Sequence, residues 1–208
     1  MSFSVRSSFV YSRVSAAERD KWDARYRDGA YESRTHPATL LAEWLPRLAR
    51  GRALDVACGA GRNALFLAAN GYAVSALDIS AVALDRGRRH AEERSLSVEW
   101  LCGDLDDYVE SVLPAGTFDL IVWVRYIHDT LMPSLIAKLN AGGSLLCEQH
   151  LATRSQVAGP TSPQFRLAPG ELERSARGLS ILYSHEGLIV DPDGRTVALA
   201  QLVARKAL

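Results

Sequence analysis

From Arg52 onward the chain alternates short apolar runs with amphipathic stretches. Residues Ala53–Ala57, Tyr72–Leu77, Leu96–Cys102, Phe118–Val124 and Ser144–Cys147 read as five strands. Phe118–Val124 (FDLIVWV) is almost wholly apolar, as a strand covered on both faces requires. A helix follows the first strand from Arg62 to Asn70-Gly71, where glycine suits the C-cap. Ser80 is a good N-cap for a second helix running to about Glu93, and a short helix is expected over Asp106–Val112. Thr130 precedes a helix with Leu131, Leu135, Ile136 and Leu139 along one side, and Asn140-Ala141-Gly142-Gly143 turns into the fifth strand.

The rhythm then changes. Residues 152–170 hold three prolines and two glycines and predict a long loop over one sheet edge. A short helix near Glu171–Ala176 leads into two strands, Leu179–Ile189 and Thr196–Ala204, with the hairpin signal Asp193-Gly194 between them. Upstream, Ser15-Ala16-Ala17-Glu18 has capping-box spacing and opens a helix bearing Trp22, Arg25 and Tyr26. Thr35-His36-Pro37 starts another, with Pro at N1 and Leu40, Leu41, Trp44, Leu45 and Leu48 on one face. Right-handed crossovers turn this order into an α/β, Rossmann-like, doubly wound seven-stranded sheet, mostly parallel, with a C-terminal antiparallel hairpin and helices on both faces. The expected organisation is a flexible N-terminal tail over 1–14 and a single domain over 15–208, whose residues 15–50 form a helical lid.

Composition narrows the class. At 48% apolar and 23% charged the chain is that of an ordinary soluble domain, and 24 basic against 24 acidic residues leave no global field for nucleic acid or an anionic membrane. No apolar run is long enough to cross a bilayer. Cys58, Cys102 and Cys147 fit neither zinc spacing nor a disulfide framework. They read as buried hydrophobes in a reducing, cytoplasmic compartment, with no metal. The first fourteen residues are rich in Ser and Arg and lack acids, faintly like a transit peptide.

Ligands of open α/β sheets lie beyond the carboxyl ends of the strands. Those ends carry Asp55 with Gly59 and Gly61, then Asp78, Asp104, and finally Trp123, Arg125 and Tyr126. Glycines let a ligand lie against the main chain, and the helix start at Arg62 favours an anionic group. Asp78, 17 residues after Gly61, suits both hydroxyls of a ribose, and Asp104 suits an adenine amine. The flanking residues Ala57, Cys58, Asn63, Ile79, Leu105, Val122 and Trp123 complete the candidate cofactor-binding set. Each acid also has a plain reading: Asp55 hydrogen-bonding the turn, Asp78 favoured by a helix dipole, Asp104 a turn residue.

LDVACGAGR, LDI at Leu77–Ile79 and CGDLDD at 102–107 resemble the motifs of class I S-adenosylmethionine-dependent methyltransferases. WDARY, VRYIHDTLMP and QFRLAPGEL further resemble the small bacterial tellurite-resistance-type members, over most of residues 20–205. The resemblance implies a seven-stranded sheet and S-adenosylmethionine as cofactor (S-adenosylhomocysteine as product). It puts the methionine and ribose parts at Gly59 and Gly61, the ribose at Asp78, and the adenine at Asp104 and the Leu105 main chain. It also suggests Arg25 for the cofactor carboxylate, within a lid of Trp22, Arg25 and Tyr26. Ala57 departs from the family, which usually has glycine there.

Methyl transfer needs an aligned nucleophile, a dry pocket and, for an acceptor bearing a proton, a base. Arg125, Tyr126 and His128 are the expected catalytic residues. Arg125 and His128 would hold an oxyanion or position a soft nucleophile, with Tyr126 closing the pocket and His128 also able to serve as base. Otherwise Arg125 would pair with Asp129 or Glu148, and His128 would cap a helix or make a satisfied interior hydrogen bond. Arg62 would reach the cofactor carboxylate or pair with an acid, and Phe165 and Arg166 would line the substrate mouth. Arg86, Arg88 and Arg89 with Glu92 and Glu93 read as a solvated helix face. His36, His150 and His185 are given no role. The expected acceptor is a small molecule, with an oxyanion or a soft nucleophile as the candidates, handled by a monomer or homodimer without nucleic acid or membrane. Two other readings stay open: an NAD(P)-dependent oxidoreductase, whose Gly-x-Gly-x-x-Ala fingerprint is also met, and a non-catalytic S-adenosylmethionine-binding protein.

Overall fold

The structure, a computed structural model, describes residues 6–106 and 109–208. Seven strands form one sheet: β1 (Arg52–Val56), β2 (Ala73–Asp78), β3 (Val98–Cys102), β4 (Phe118–Val124), β5 (Leu139–His150), β6 (Leu179–Val190) and β7 (Thr196–Lys206). Their spatial order is β3-β2-β1-β4-β5-β7-β6, with β7 antiparallel to both neighbours and the other pairs parallel. The order reverses between β1 and β4, so the crevice of this doubly wound sheet opens above their carboxyl ends.

Helices cover both faces. On one, α5 (Val109–Val112), α6 (Leu131–Ala137) and α7 (Glu171–Ser175) bury Val109, Leu131, Met132, Leu135 and Leu172 against Ile121, Trp123, Leu145 and Leu202. On the other, α2 (Thr39–Trp44), α3 (Arg62–Ala69) and α4 (Ala81–Glu93) bury Leu40, Leu41, Ala64, Leu67 and Leu84 against Leu120, Val122 and Leu146. Trp100 on β3 packs where Gly61 and Gly87 have no side chain, wedging α3 and α4 together. Gly61, at φ +77°, is therefore held by packing as well as by turn geometry.

Several boundaries differ from the sequence reading. Of the expected tail 1–14, residues 1–5 lie outside the described residues, while α1 (Arg6–Arg27) runs through Ser15 instead of starting there. Residues 6–14 contain no Gly or Pro, so nothing in their sequence stops the helix at the capping box. The second helix starts at Thr39, because Asn63 Oδ1 accepts the Ala38 N–H (2.9 Å) and holds the backbone before it extended. Thr130 precedes α6 without a side-chain cap, whereas Ser80 Oγ accepts the Ala83 N–H at 3.1 Å as expected. Strand β5 is far longer than Ser144–Cys147, since β4 and β7 pair with it on both sides. Cys58 and Cys147 are buried, but Cys102 is exposed, because it ends the edge strand β3.

Candidate active site

The glycine turn follows β1. Ala57 has φ +53°, a left-handed conformation that a glycine would adopt without strain. Gly59 (φ +57°) lies beneath the Tyr26 hydroxyl, which occupies the space a side chain would need. Asp78, at the end of β2, is buried; its Oδ2 accepts the Gly59 N–H at 2.7 Å and its Oδ1 the Ser80 N–H at 2.9 Å. Burial pushes this carboxyl up, opposed by those backbone hydrogen bonds. Each oxygen retains a second lone pair for a hydroxyl. Asp104, after β3, is also buried, and its Oδ1 accepts the Asp106 N–H at 2.9 Å. Asp107 of the same motif lies outside the described residues. Ile79 is half-buried beside Asp78, with its carbonyl facing Cys102 Sγ.

Helix α1 closes over this turn. Asp23, buried, accepts hydrogen bonds from Ser80 Oγ (2.6 Å) and Val82 N (3.3 Å). Arg86 reaches from α4 to the carbonyls of Tyr26 and Ala30 and so satisfies the C-terminal end of α1. Arg86 was expected on a solvated face; it is half-buried because α1 lies against it. Trp22 is half-buried beside Tyr26, ring centroids 6.5 Å apart. Arg25 is exposed, stacks over Trp22 at 4.8 Å and donates to the Tyr31 hydroxyl, which holds it on the outer surface of α1.

Other expected site residues have structural partners. Asp55 Oδ2 accepts the Ala64 N–H (2.9 Å), which makes it an anchor of α3 rather than a group facing the crevice. Asn63 holds Ala38, and Arg62 Nη1 donates to the His36 carbonyl at 3.0 Å. Val122 is fully buried on the α2–α3–α4 side and does not line the crevice, because alternate residues of β4 face opposite ways. The Cys58 thiol is buried and pushed well up by burial and by Asp78, so it stays protonated. Arg166 donates to the carbonyls of Pro160 and Leu151 and ties the long loop together; Phe165 is exposed beside it.

The largest revision concerns Arg125. Its guanidinium is 8% exposed and donates from Nε to Glu148 Oε1 (3.0 Å), from Nη1 to Asp191 Oδ2 (2.7 Å) and from Nη2 to Asp191 Oδ1 (2.6 Å). Gln201 Nε2 completes Glu148 at 2.8 Å. Burial pushes Asp191 up, but the hydrogen bonds and charge of Arg125 outweigh it and hold this carboxyl low. The arginine joins β4 to β5 and the C-terminal hairpin, and is not free to grip an oxyanion.

His128 is different. Its Nε2 lies 3.1 Å from the Leu105 carbonyl, which can only accept, so Nε2 carries the hydrogen. Asp106 Oδ1 is 3.4 Å from the same nitrogen. Nδ1 is then an acceptor, buried and, among the described residues, without a hydrogen-bond partner. Trp123 Nε1 and Gln149 Oε1 are likewise buried and unpartnered. They sit at the carboxyl ends of β4 and β5 on one sheet face, where Gln149 Nε2 donates to the Trp123 carbonyl (3.3 Å). Tyr126 lies beside His128, ring centroids 6.1 Å apart, its hydroxyl pushed up by burial and then by Asp106 and Asp104. Buried polar groups in native proteins are normally paired; among the described residues these three atoms lack a partner, as do His150 Nδ1 and Arg205 Nε. Gln149 was missed in the sequence; its position two residues past the apolar run of β5 was the available signal.

Asp55 yields a pH prediction. Burial pushes it up from an ordinary 3.8 to about 7, against the pull of Arg62 and the Ala64 N–H. The folded protein therefore holds a proton that the unfolded chain releases, and the stability this confers is complete below pH 3.8 and lost as pH rises towards about 7. Thermal unfolding of Asp55→Asn should show a flatter dependence than wild type between pH 5 and 8. An unchanged slope contradicts the assignment.

Residues 53–142 match the family model described as a methyltransferase domain. The ubiquinone biosynthesis O-methyltransferase of Coxiella burnetii is 29% identical over 97 residues, 44% of this chain and 40% of that protein. The ribosomal protein L11 methyltransferase of Symbiobacterium thermophilum is 29% identical over 134 residues, 62% of this chain and 42% of that protein. Each match thus spans about two fifths of the curated relative's length. Among solved structures, TehB from Haemophilus influenzae superposes with a TM-score of 0.68 at 22% identity, over 80% of this chain and 61% of that one, a likeness of fold. Residues 53–142 thus carry the likeness of a methyltransferase domain, set within the seven-stranded, mostly parallel sheet that this chain shares as a fold with TehB. The antiparallel β7, in place of a second mononucleotide-binding half, separates it from the dinucleotide-dependent oxidoreductases. Among the described residues no helix is long and apolar enough to cross a membrane.

Proposed function

We propose that the protein transfers a methyl group from S-adenosylmethionine to a hydroxyl oxygen of a small molecule, with His128 as the base. The observation that carries this reading is the His128 imidazole, whose tautomer is set by the Leu105 carbonyl so that a buried, unpartnered Nδ1 is left to accept a proton. The names of relatives such as the Coxiella O-methyltransferase favour the same acceptor chemistry.

The residues present fit the cofactor. Asp78 retains lone pairs for the ribose hydroxyls, Asp104 is a buried acid one strand further along, and Gly59 leaves a side-chain-free surface that Tyr26 covers. When bound, S-adenosylmethionine supplies a methyl carbon on a sulfonium, already activated for displacement. The chain's own work is positioning and proton transfer. His128 Nδ1 would take the proton of the acceptor hydroxyl, while S-adenosylmethionine, held by Asp78, Asp104 and the Gly59 turn, would supply the methyl group and leave as the neutral thioether with the electron pair of the broken carbon–sulfur bond. Asp106 Oδ1 lies 3.4 Å from Nε2, across the ring from Nδ1. Trp123 Nε1 and Gln149 Oε1 offer one donor and one acceptor to orient the acceptor's polar groups. Tyr126 and the lid exclude water.

The test is a labelled-methyl assay on the full chain with small alcohols and phenols, thiols, amines and tellurite as acceptors. Label recovered as an ether supports the proposal. Label on sulfur, nitrogen or tellurium alone overturns the acceptor class, and cofactor binding without turnover of any acceptor overturns the enzymatic reading.

A further inference from the structure

Strand β6 ends the sheet, and its outer edge has no strand beside it among the described residues. Twelve residues long, LSILYSHEGLIV, it contains neither proline nor lysine, two of the usual protections of an open edge, and carries one bulge, at Leu182. Its one carboxylate is already engaged, since Glu186 Oε1 accepts the Gly170 N–H at 2.7 Å. Ile181, Leu182, Leu188 and Val190 are 41%, 39%, 55% and 65% exposed. A row of unpaired backbone N–H and C=O groups is completed by another strand, and the residues of β6 say which one.

Pairing with β7 assigns the faces. Leu179, Ile181, Ser184, Glu186, Leu188 and Val190 share one, while Ser180, Tyr183, His185, Gly187 and Ile189 share the other; the switch occurs at a bulge on Leu182. We propose that β6 pairs antiparallel with β6 of a second copy about a two-fold axis at His185, making one continuous fourteen-stranded sheet. In this register every opposed pair shares a face. Glu186 meets Ser184, Gly187 meets Tyr183 and leaves room for its ring, Ile189 meets Ser180, and Val190 meets Leu179. Leu188 meets Ile181 across the bulge, so the exposed apolar residues of one copy cover those of the other. A shift of the axis by half a residue sets the faces against each other over the unbulged stretch from Tyr183 to Gly187. The strand is its own complement, as an isologous interface requires.

Two measurements on the full chain test this. Light scattering after gel filtration should give twice the 22.7 kDa protomer mass, and the exposed-site double variant Ile181→Lys/Leu188→Lys should give the protomer mass with its far-UV circular dichroism unchanged. His185→Cys, in a Cys102→Ser background, should form an intermolecular disulfide under mild oxidation. Residues facing each other in an antiparallel pair have Cα atoms about 4.5–5.5 Å apart, within disulfide reach. A wild-type monomer, a dimer that survives the lysines, or a dimer in which residue 185 does not cross-link overturns the proposal.

Discussion

Replacing Arg125 with alanine destabilises the protein by about 3–5 kcal/mol, the range for breaking a buried ion pair and leaving charge behind. Glu148 is 1% and Asp191 8% exposed, and the guanidinium alone bridges them. Gln201 still serves Glu148, but nothing comparable replaces the two bonds to Asp191. The penalty comes from desolvated carboxylates, so removing their charge should relieve it. Chemical denaturation of the triple variant Arg125→Ala/Glu148→Gln/Asp191→Asn is therefore expected to recover much of the loss. A single variant of normal stability that has lost its turnover would contradict this and return Arg125 to the acceptor pocket.

Replacing His128 with glutamine lowers kcat by about 10²–10⁴-fold, the usual contribution of a general base. The affinity for S-adenosylhomocysteine should stay within a few-fold, since His128 touches Leu105 and Asp106 but neither Asp78 nor Gly59. The loss should shrink as pH approaches the ionisation of the acceptor hydroxyl, because a deprotonated acceptor needs no base. Steady-state kinetics across pH with calorimetric binding separate these effects. An unchanged kcat, or a loss confined to cofactor affinity, excludes the role.

The sheet was legible because its strands are apolar and separated by strong punctuation. Asp193-Gly194, Gly71 and Ser80 marked the hairpin, a helix end and a helix start at the positions observed. Local signals failed where distant partners decide. Asn63 delays α2, Arg86 is drawn under α1, and the long β5 depends on neighbours remote in sequence. For the site, Gly59, Asp78 and Asp104 were legible as acids and turns at successive strand ends. For Asp55 and Arg125 the sequence left a backbone hydrogen bond and a pairing with Glu148 open beside a ligand role, and the fold decides for the former in each case. The partners of Asn63 and Arg62, and the bond of Arg125 to Asp191, were not legible because they come from residues remote in sequence. Gln149 was missed for the converse reason: a polar residue after an apolar run looks like a strand end until its oxygen is found buried without a partner.

The central claim is that Asp78 and the Gly59 turn hold the sugar of a sulfonium cofactor. Isothermal titration of S-adenosylhomocysteine into wild type and Asp78→Asn tests it most directly, since the amide oxygen can still accept from Gly59 while the anionic acceptor for the ribose is lost. The amide also gives up the Ser80 N–H bond, so thermal unfolding of the variant is measured alongside. The account predicts saturable one-to-one binding to wild type and a loss of at least tenfold in the variant. No binding to the wild type, or equal affinity in both, would contradict it.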